Sequence, residues 1–404
     1  MSVRGVLLGA FVAGLGLSIT LAETALALLV LHRLWCLRDP AERAAARWPL
    51  WPAVLAFSVV TILSALLSGH PLESLEAAKG LLLAAALYVV ADALRTPAAA
   101  GRFLLGLALA ATVAAAVGVL QVGLCPGSTA PVASPRWLYH RCDRAHGFFS
   151  IYMTLAGVLS LVLLATLPRL LLGGGELRRL AGPWLLMLWG LIVTYTRGAW
   201  IGFAAGVLTA AATVRRGRWV LVAGLLLLAA GAAVAPYELQ KRFFAIADPA
   251  EAGARERLYM WRSGLAMWRE RPVLGVGPGG VKREYPRYAQ PEAFKKRTSH
   301  VHSTPLQILV ERGVLGLAAW LAIWVAFFVR CVGLLRRLPD AEAPSRAIVM
   351  GSLAALVGFL VAGLSEHNFG DSEVVMVAWA LMALPWAVKP SASTPRRARS
   401  RTVP

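Results

Sequence analysis

Apolar residues fall along the chain in blocks of about 15–25 separated by short polar connections, the spacing of helices that cross a bilayer. The clearest blocks predict helices near Trp51–Leu67, Ala78–Leu94, Phe103–Gln121, Gly147–Leu167, Pro183–Tyr195, Trp200–Val214 and Trp219–Pro236. Three more follow near Val314–Val332, Ala347–Leu364 and Val374–Val388. The first stretch, Val6–Leu31, is too long for one simple span and is interrupted by Thr20 and Glu23, so it reads as two short helices. Met1–Leu21 has the apolar character of a signal peptide, but no convincing Ala-x-Ala-like site follows and the hydrophobicity continues. The expected class is an all-α integral membrane protein with about twelve transmembrane helices. It forms a single polytopic domain over residues 1–404, with no internal repeat.

Two connections are longer than a turn. Val122–His146 carries Pro126, Pro131 and Pro135; Tyr237–Ser303 is too long to be structureless. Within the second, Leu258, Trp261, Leu265 and Trp268 recur at intervals of three and four, predicting an amphipathic helix over Arg255–Glu270 that lies on the bilayer with Trp at headgroup level. Pro272-Val-Leu-Gly275-Val-Gly277-Pro-Gly279-Gly280 then breaks it as a tight loop. The tail, residues 390–404, is rich in Ser, Pro and Arg and is expected to be disordered on the inner side.

Charge sets the orientation. Arg33, Arg38, Arg43 and Arg47, then Arg95 and Arg102, Arg169, Arg178 and Arg179, Arg215, Arg216 and Arg218, and Arg330 to Arg346 occupy alternate connections. Those connections belong inside, together with both termini. Most of the formal charge of +20 therefore follows from membrane orientation, not from nucleic-acid binding. The outer segment Tyr237–Ser303 is different: it holds 13 Lys/Arg against seven Asp/Glu, an excess the orientation rule does not require. Such a surface attracts anionic groups such as phosphates. Cys36 and Cys331 have no motif; Cys125 and Cys142 share one outer loop, either bridged or as two free thiols.

The unusual polar residues collect on the outer side. Arg197, at the turn Thr194-Tyr-Thr-Arg-Gly-Ala-Trp200, presents a planar fork suited to phosphate, with Gly198 leaving room for a ligand; the alternative is a snorkelling anchor. Arg255 and Arg257 open the amphipathic helix, whose N-terminus itself favours anions, or else they only touch lipid headgroups. His302 suits a general base, the alternative being a hydrogen-bonded residue at a helix N-cap. His300 shares its face only if the segment is extended. Glu311, costly in lipid, is expected to face the protein interior and to orient a partner or brace the loop. Glu366 and His367 share the last outer turn with Asp371 and Glu373. That Asp-x-Glu pair is read as helix capping rather than as a metal site, with Asp371 or Ser372 as the cap. No metal, cofactor or nucleotide is expected, and no Walker motif is present.

Three motifs then acquire a common meaning. They are the Thr-Arg197-Gly-Ala-Trp turn, the Arg257-x-x-x-Trp261 segment followed by Arg-Pro272-Val-Leu-Gly-Val-Gly-Pro-Gly, and His302-Ser-x-x-Leu-x-x-x-x-Glu311-x-Gly313-x-x-Gly316-Leu. Their order resembles that of the O-antigen ligase/polymerase superfamily, and the resemblance runs from about Gly147 to the end. It implies a GT-C-like fold with a large periplasmic loop at residues 237–303 in the bacterial inner membrane. It also implies transfer of a polysaccharide from undecaprenyl diphosphate, with lipid A–core as acceptor in the ligase branch and another lipid-linked glycan in the polymerase branch. Carried onto this chain, it makes Arg197 and Arg257 diphosphate-binding residues and His302 the base; Ser303 stands where the family often has Asn. Ligase is the first reading and polymerase the second. A transporter or flippase calls for paired repeats and intramembrane charges, whereas here the polar cluster lies at one surface.

Overall fold

A computed structural model describes residues 2–124, 144–172, 176–214 and 252–389, with side chains from residue 180 in the third of these segments. Cys125, Cys142, the predicted span Trp219–Pro236, the start of the large loop (237–251) and the tail 390–404 lie outside them. The described residues form helices α1 (Val3–Leu17), α2 (Ile19–Cys36), α3 (Pro40–Ala45), α4 (Trp51–Leu66), α5 (Pro71–Ala77), α6 (Ala85–Ala93) and α7 (Pro97–Gly123). There follow α8 (Tyr152–Leu172), α9 (Glu176–Ile192), α10 (Arg197–Thr213), α11 (Ala252–Glu270), α12 (Gly280–Tyr288), α13 (Thr304–Arg337), α14 (Ala343–Gly363) and α15 (Ser372–Ala383). Among the described residues, six helical segments are long and apolar enough to cross a membrane: α2, Pro71–Ala93, α7, α8, α13 and α14. Four shorter apolar ones accompany them.

The first apolar stretch is indeed two helices, but the break falls at Ser18, not at Thr20 or Glu23. Ser18 leaves the helical region (φ −163°, ψ 118°) and caps α2 through a 3.4 Å bond from the Leu21 N–H. Helix α14 packs along both α8 and α10, which also touch each other. Small residues let these backbones meet: a β-carbon on Gly202 would lie 2.4 Å from the Gly358 carbonyl oxygen, and one on Gly351 2.1 Å from that of Ala165. Lipid is as apolar as Leu, so close contact of this kind takes the place of the hydrophobic effect in holding membrane helices together.

The connections sort to two ends. At one, Arg33 pairs with Asp92 (2.9 Å) and lies 4.2 Å over the Trp48 ring, while Arg47 reaches the Trp386 carbonyl at 2.7 Å. At the other, the last turn of α4, the glycine loop before α12, the start of α13 and the turn after α14 meet. Helix α13 begins ten residues before the predicted Val314 and is broken at Gly313 (φ 64°, ψ −169°). The backbone groups freed there are taken by the loop. Val276 and Gly277 N–H donate to the carbonyls of Val310 and Glu311 at 3.0 and 2.9 Å, and the Val314 N–H donates to that of Pro272 at 2.9 Å. Broken helix backbone is tolerated at a membrane where protein buries it in this way.

Helix α11 forms as predicted, but with a different inner face. Met260, Ser263, Gly264 and Met267 are buried against α12 and α13, whereas Leu258 is 44% exposed. Trp261 and Trp268 flank this small outer cluster of Met260, Met267, Val276, Val281, Tyr285, Val301 and Val310. The helix therefore packs on its own protein, because a second helix in the same loop offers it an apolar partner that the heptad-like spacing alone does not reveal.

Candidate functional site

The site begins with a turn held from below. Phe369 sits among Phe57, Trp320, Trp324 and Trp379, with ring centroids 5.9–6.4 Å away. Above it, Thr304 donates its N–H to the Glu366 carbonyl at 3.1 Å, and its hydroxyl lies 3.0 Å from that oxygen and from Asn368 Oδ1. Asn368 in turn donates to the Phe359 carbonyl at 2.7 Å. The turn is thus fixed to α13 and α14, and Glu366 is fixed with it.

Three elements converge on Glu366, which is buried at 9% exposure. Arg257 of α11 forms a direct ion pair with Oε1. His302 Nδ1 lies 3.2 Å from Oε2. With the proton on Nδ1, His302 donates to the carboxylate and its Nε2 lone pair is left to accept a proton. The third element is α10: a β-carbon on Gly198 would stand 2.8 Å from Ser365 Oγ and 3.2 Å from Glu366 Cγ. This close approach sets the half-buried Arg197, first residue of α10, beside the same turn.

His300 and His367 complete a histidine cluster. The His300 ring meets the edge of His302 at 4.4 Å between centroids and lies 5.7 Å from His367. Burial, with help from the neighbouring His302, lowers the His300 pKa to about 4, against the pull of Glu366. Burial also lowers that of His367 to about 3, with His300 and Arg312 adding to the effect. Both rings are neutral at neutral pH, so neither competes with Arg257 as a cation.

Not every candidate converges. Arg255 is exposed at the start of α11 and outside the cluster. Glu311 is buried, but its carboxylate accepts from the Gly279 N–H (2.8 Å), Gln307 Nε2 (2.9 Å) and Arg312 Nη1 (3.0 Å), so it braces the glycine loop. Asp371 caps α15 through the Val374 N–H at 3.2 Å and accepts from the Thr154 hydroxyl, with Glu373 in the first helical turn. Sequence reasoning gave Glu366 no role. Its one clue was a carboxylate beside a histidine at a helix end, and nothing in the chain order shows that Arg257 and His302 reach it.

A multi-pass all-helical membrane protein with an Arg–Glu–His cluster at one end of its bundle is the class these features define. Residues 183–321 match the O-antigen ligase family model, which supports membership of the O-antigen ligase/polymerase superfamily. The matched segment runs from α9 into α13 and holds Arg197, Arg255, Arg257, His300, His302 and Glu311, while Glu366 and His367 lie beyond it. No curated protein matches the chain.

Proposed function

We propose that the protein is an O-antigen ligase: an inverting glycosyltransferase that moves polysaccharide from undecaprenyl diphosphate to a sugar hydroxyl of lipid A–core. The reaction takes place at the periplasmic face of the inner membrane, in a GT-C-like bundle of about twelve spans with both termini cytoplasmic. The observation that carries the reading is the contact of one buried carboxylate, Glu366, with both Arg257 and His302. It joins Arg257 and His302, both inside the matched segment 183–321, through a carboxylate that lies beyond it.

His302 Nε2 takes the proton of the acceptor hydroxyl as that oxygen bonds to the anomeric carbon from the face opposite the diphosphate. The anomeric C–O bond breaks and undecaprenyl diphosphate leaves with its electron pair. Arg197 and Arg257 offset the charge that develops on it. Guanidinium has five N–H donors, so Arg257 can hold Glu366 and still offer others to phosphate. Glu366 keeps His302 in the tautomer that leaves Nε2 free, the part a carboxylate plays for a catalytic imidazole in hydrolases. Arginine in place of a metal ion makes the reaction metal-independent.

The test is reconstitution of the full chain with lipid-linked glycan, lipid A–core and EDTA. Glycosylated lipid A–core is the expected product. Elongation of the lipid-linked glycan instead would assign the polymerase, and loss of activity restored by Mg²⁺ would remove the metal-free mechanism.

A further inference from the structure

Gln307 lies in the second turn of α13, five residues past His302, and is 2% exposed. Its side chain bonds in two directions. Backward, Oε1 accepts the Val301 N–H at 3.0 Å; forward, Nε2 donates to Glu311 Oε1 at 2.9 Å. That same oxygen takes the Gly279 N–H, and Oε2 takes Arg312, which reaches the Thr61 hydroxyl of α4 at 3.2 Å. Gln307 therefore ties the residue before His302 to a carboxylate fixed independently by the glycine loop and, through Arg312, by α4.

What it holds is strained. His302 has φ +49°, in the left-handed region that a residue with a side chain keeps only where its surroundings over-determine it. On one side Val301 is fully buried in the small outer cluster; on the other, Ser303 is the N-cap position of α13. A glutamine reaching back across a helix start resembles the capping box, in which the third helical residue bonds the N-cap N–H. Here the fourth helical residue bonds the N–H two positions before the cap, so the bracket encloses His302 itself.

We infer that Gln307 is a positioning residue: by bridging the Val301 N–H and the Glu311 carboxylate, it holds His302 in its left-handed conformation and aims the imidazole between Glu366 and the acceptor hydroxyl. This rests on His302 being the base. Gln307 touches neither His302's ring nor Arg257, so its effect falls on turnover and not on donor affinity.

The experiment compares Gln307→Leu, Gln307→Glu and His302→Ala in the full-length protein, each checked by thermal unfolding. Undecaprenyl diphosphate binding and single-turnover transfer to lipid A–core are measured on the same preparations. Gln307→Leu is expected to lower turnover roughly 10–100-fold, the scale of an angstrom-sized misplacement, with undecaprenyl diphosphate binding unchanged. Gln307→Glu sets a carboxyl against Glu311. Only its protonated form can donate to Glu311 while accepting from Val301, so its turnover relative to wild type is expected to recover as pH falls. Wild-type turnover in Gln307→Leu, a joint loss of turnover and donor binding, or a defect in Gln307→Glu that ignores pH would each overturn the inference. A fully active His302→Ala would instead remove the base assignment on which it stands, which separates the two failures.

Discussion

At the scale of single residues, Glu366 carries the most consequence, because one buried carboxylate serves two partners of opposite function. Its removal should therefore not resemble the removal of either. Glu366→Gln keeps the shape but gives up the charge that attracts Arg257 and orders the His302 tautomer. Transfer should fall by about 10²-fold or more, as expected when an imidazole loses its orienting carboxylate. Undecaprenyl diphosphate binding should hold or improve, since Arg257 no longer shares its charge. His302→Ala should lose transfer by about 10²–10⁴-fold with binding intact. Arg257→Ala should weaken binding by about 1.5–3 kcal/mol, the worth of a charge-assisted hydrogen bond, and Arg257→Lys should restore only part of it because a point charge lacks the guanidinium fork. Donor titration and single-turnover assays on the four purified variants check this pattern. Equal binding defects in Glu366→Gln, His302→Ala and Arg257→Ala would dissolve the division of labour.

At the scale of elements, the decisive feature is the break in α13. In a continuous helix from Thr304 to Arg337 the backbone groups of Val310, Glu311 and Val314 would bond within the helix, and the glycine loop would have nothing to bond there. Gly313 makes the break possible. Its φ of 64° with ψ near −169° belongs to glycine, and a β-carbon there would lie 2.1 Å from the Val273 carbonyl oxygen. Gly313→Ala should cost at least about 1–3 kcal/mol in backbone strain alone and should loosen the loop that Glu311 braces. Gly333 is the control: it lies in the same helix, with nothing within 4 Å of a β-carbon. Gly333→Ala should be neutral or stabilising by up to about 1 kcal/mol. Thermal unfolding in detergent reads both, and equal effects would deny the break its role. The sequence announced this loop through its glycines and proline, and announced α11 through its spacing. It could not announce that Met260 and Met267 face inward, because which stripe of a helix is buried depends on the neighbour that covers it.

At the scale of the whole molecule, the two ends of the bundle have different chemistry. Arg33, Asp92, Arg47 and the Trp386 carbonyl gather at one, and the Arg257–Glu366–His302 cluster at the other. In the orientation proposed above, from the alternation of basic connections, the second end is the outer one. Single-cysteine variants at Lys295 and at Arg38 test this. An impermeant thiol reagent should label position 295 from the periplasm of cells with an intact inner membrane, and position 38 only once that membrane is opened; the reverse order would invert the topology.

By itself, the sequence determined the helical class, the presence of apolar runs of membrane length and the split of the first apolar stretch, and it nominated His302, Arg197 and Arg257 as candidates. Each of these is written locally, in the length of an apolar run, a change of charge between connections or a motif of fixed spacing. It also placed Asp371 as a cap, because capping acts within one turn. Only the tertiary structure decided that Glu366 is the hub, that Arg255 stands apart, that Glu311 braces the glycine loop and that Gln307 brackets His302. The contacts of that hub join pairs 64 and 109 residues apart, His302 with Glu366 and Arg257 with Glu366. They also depend on glycines whose missing side chains let α10 and α14 close to contact, and no local pattern encodes which distant backbone will fill the space a glycine leaves.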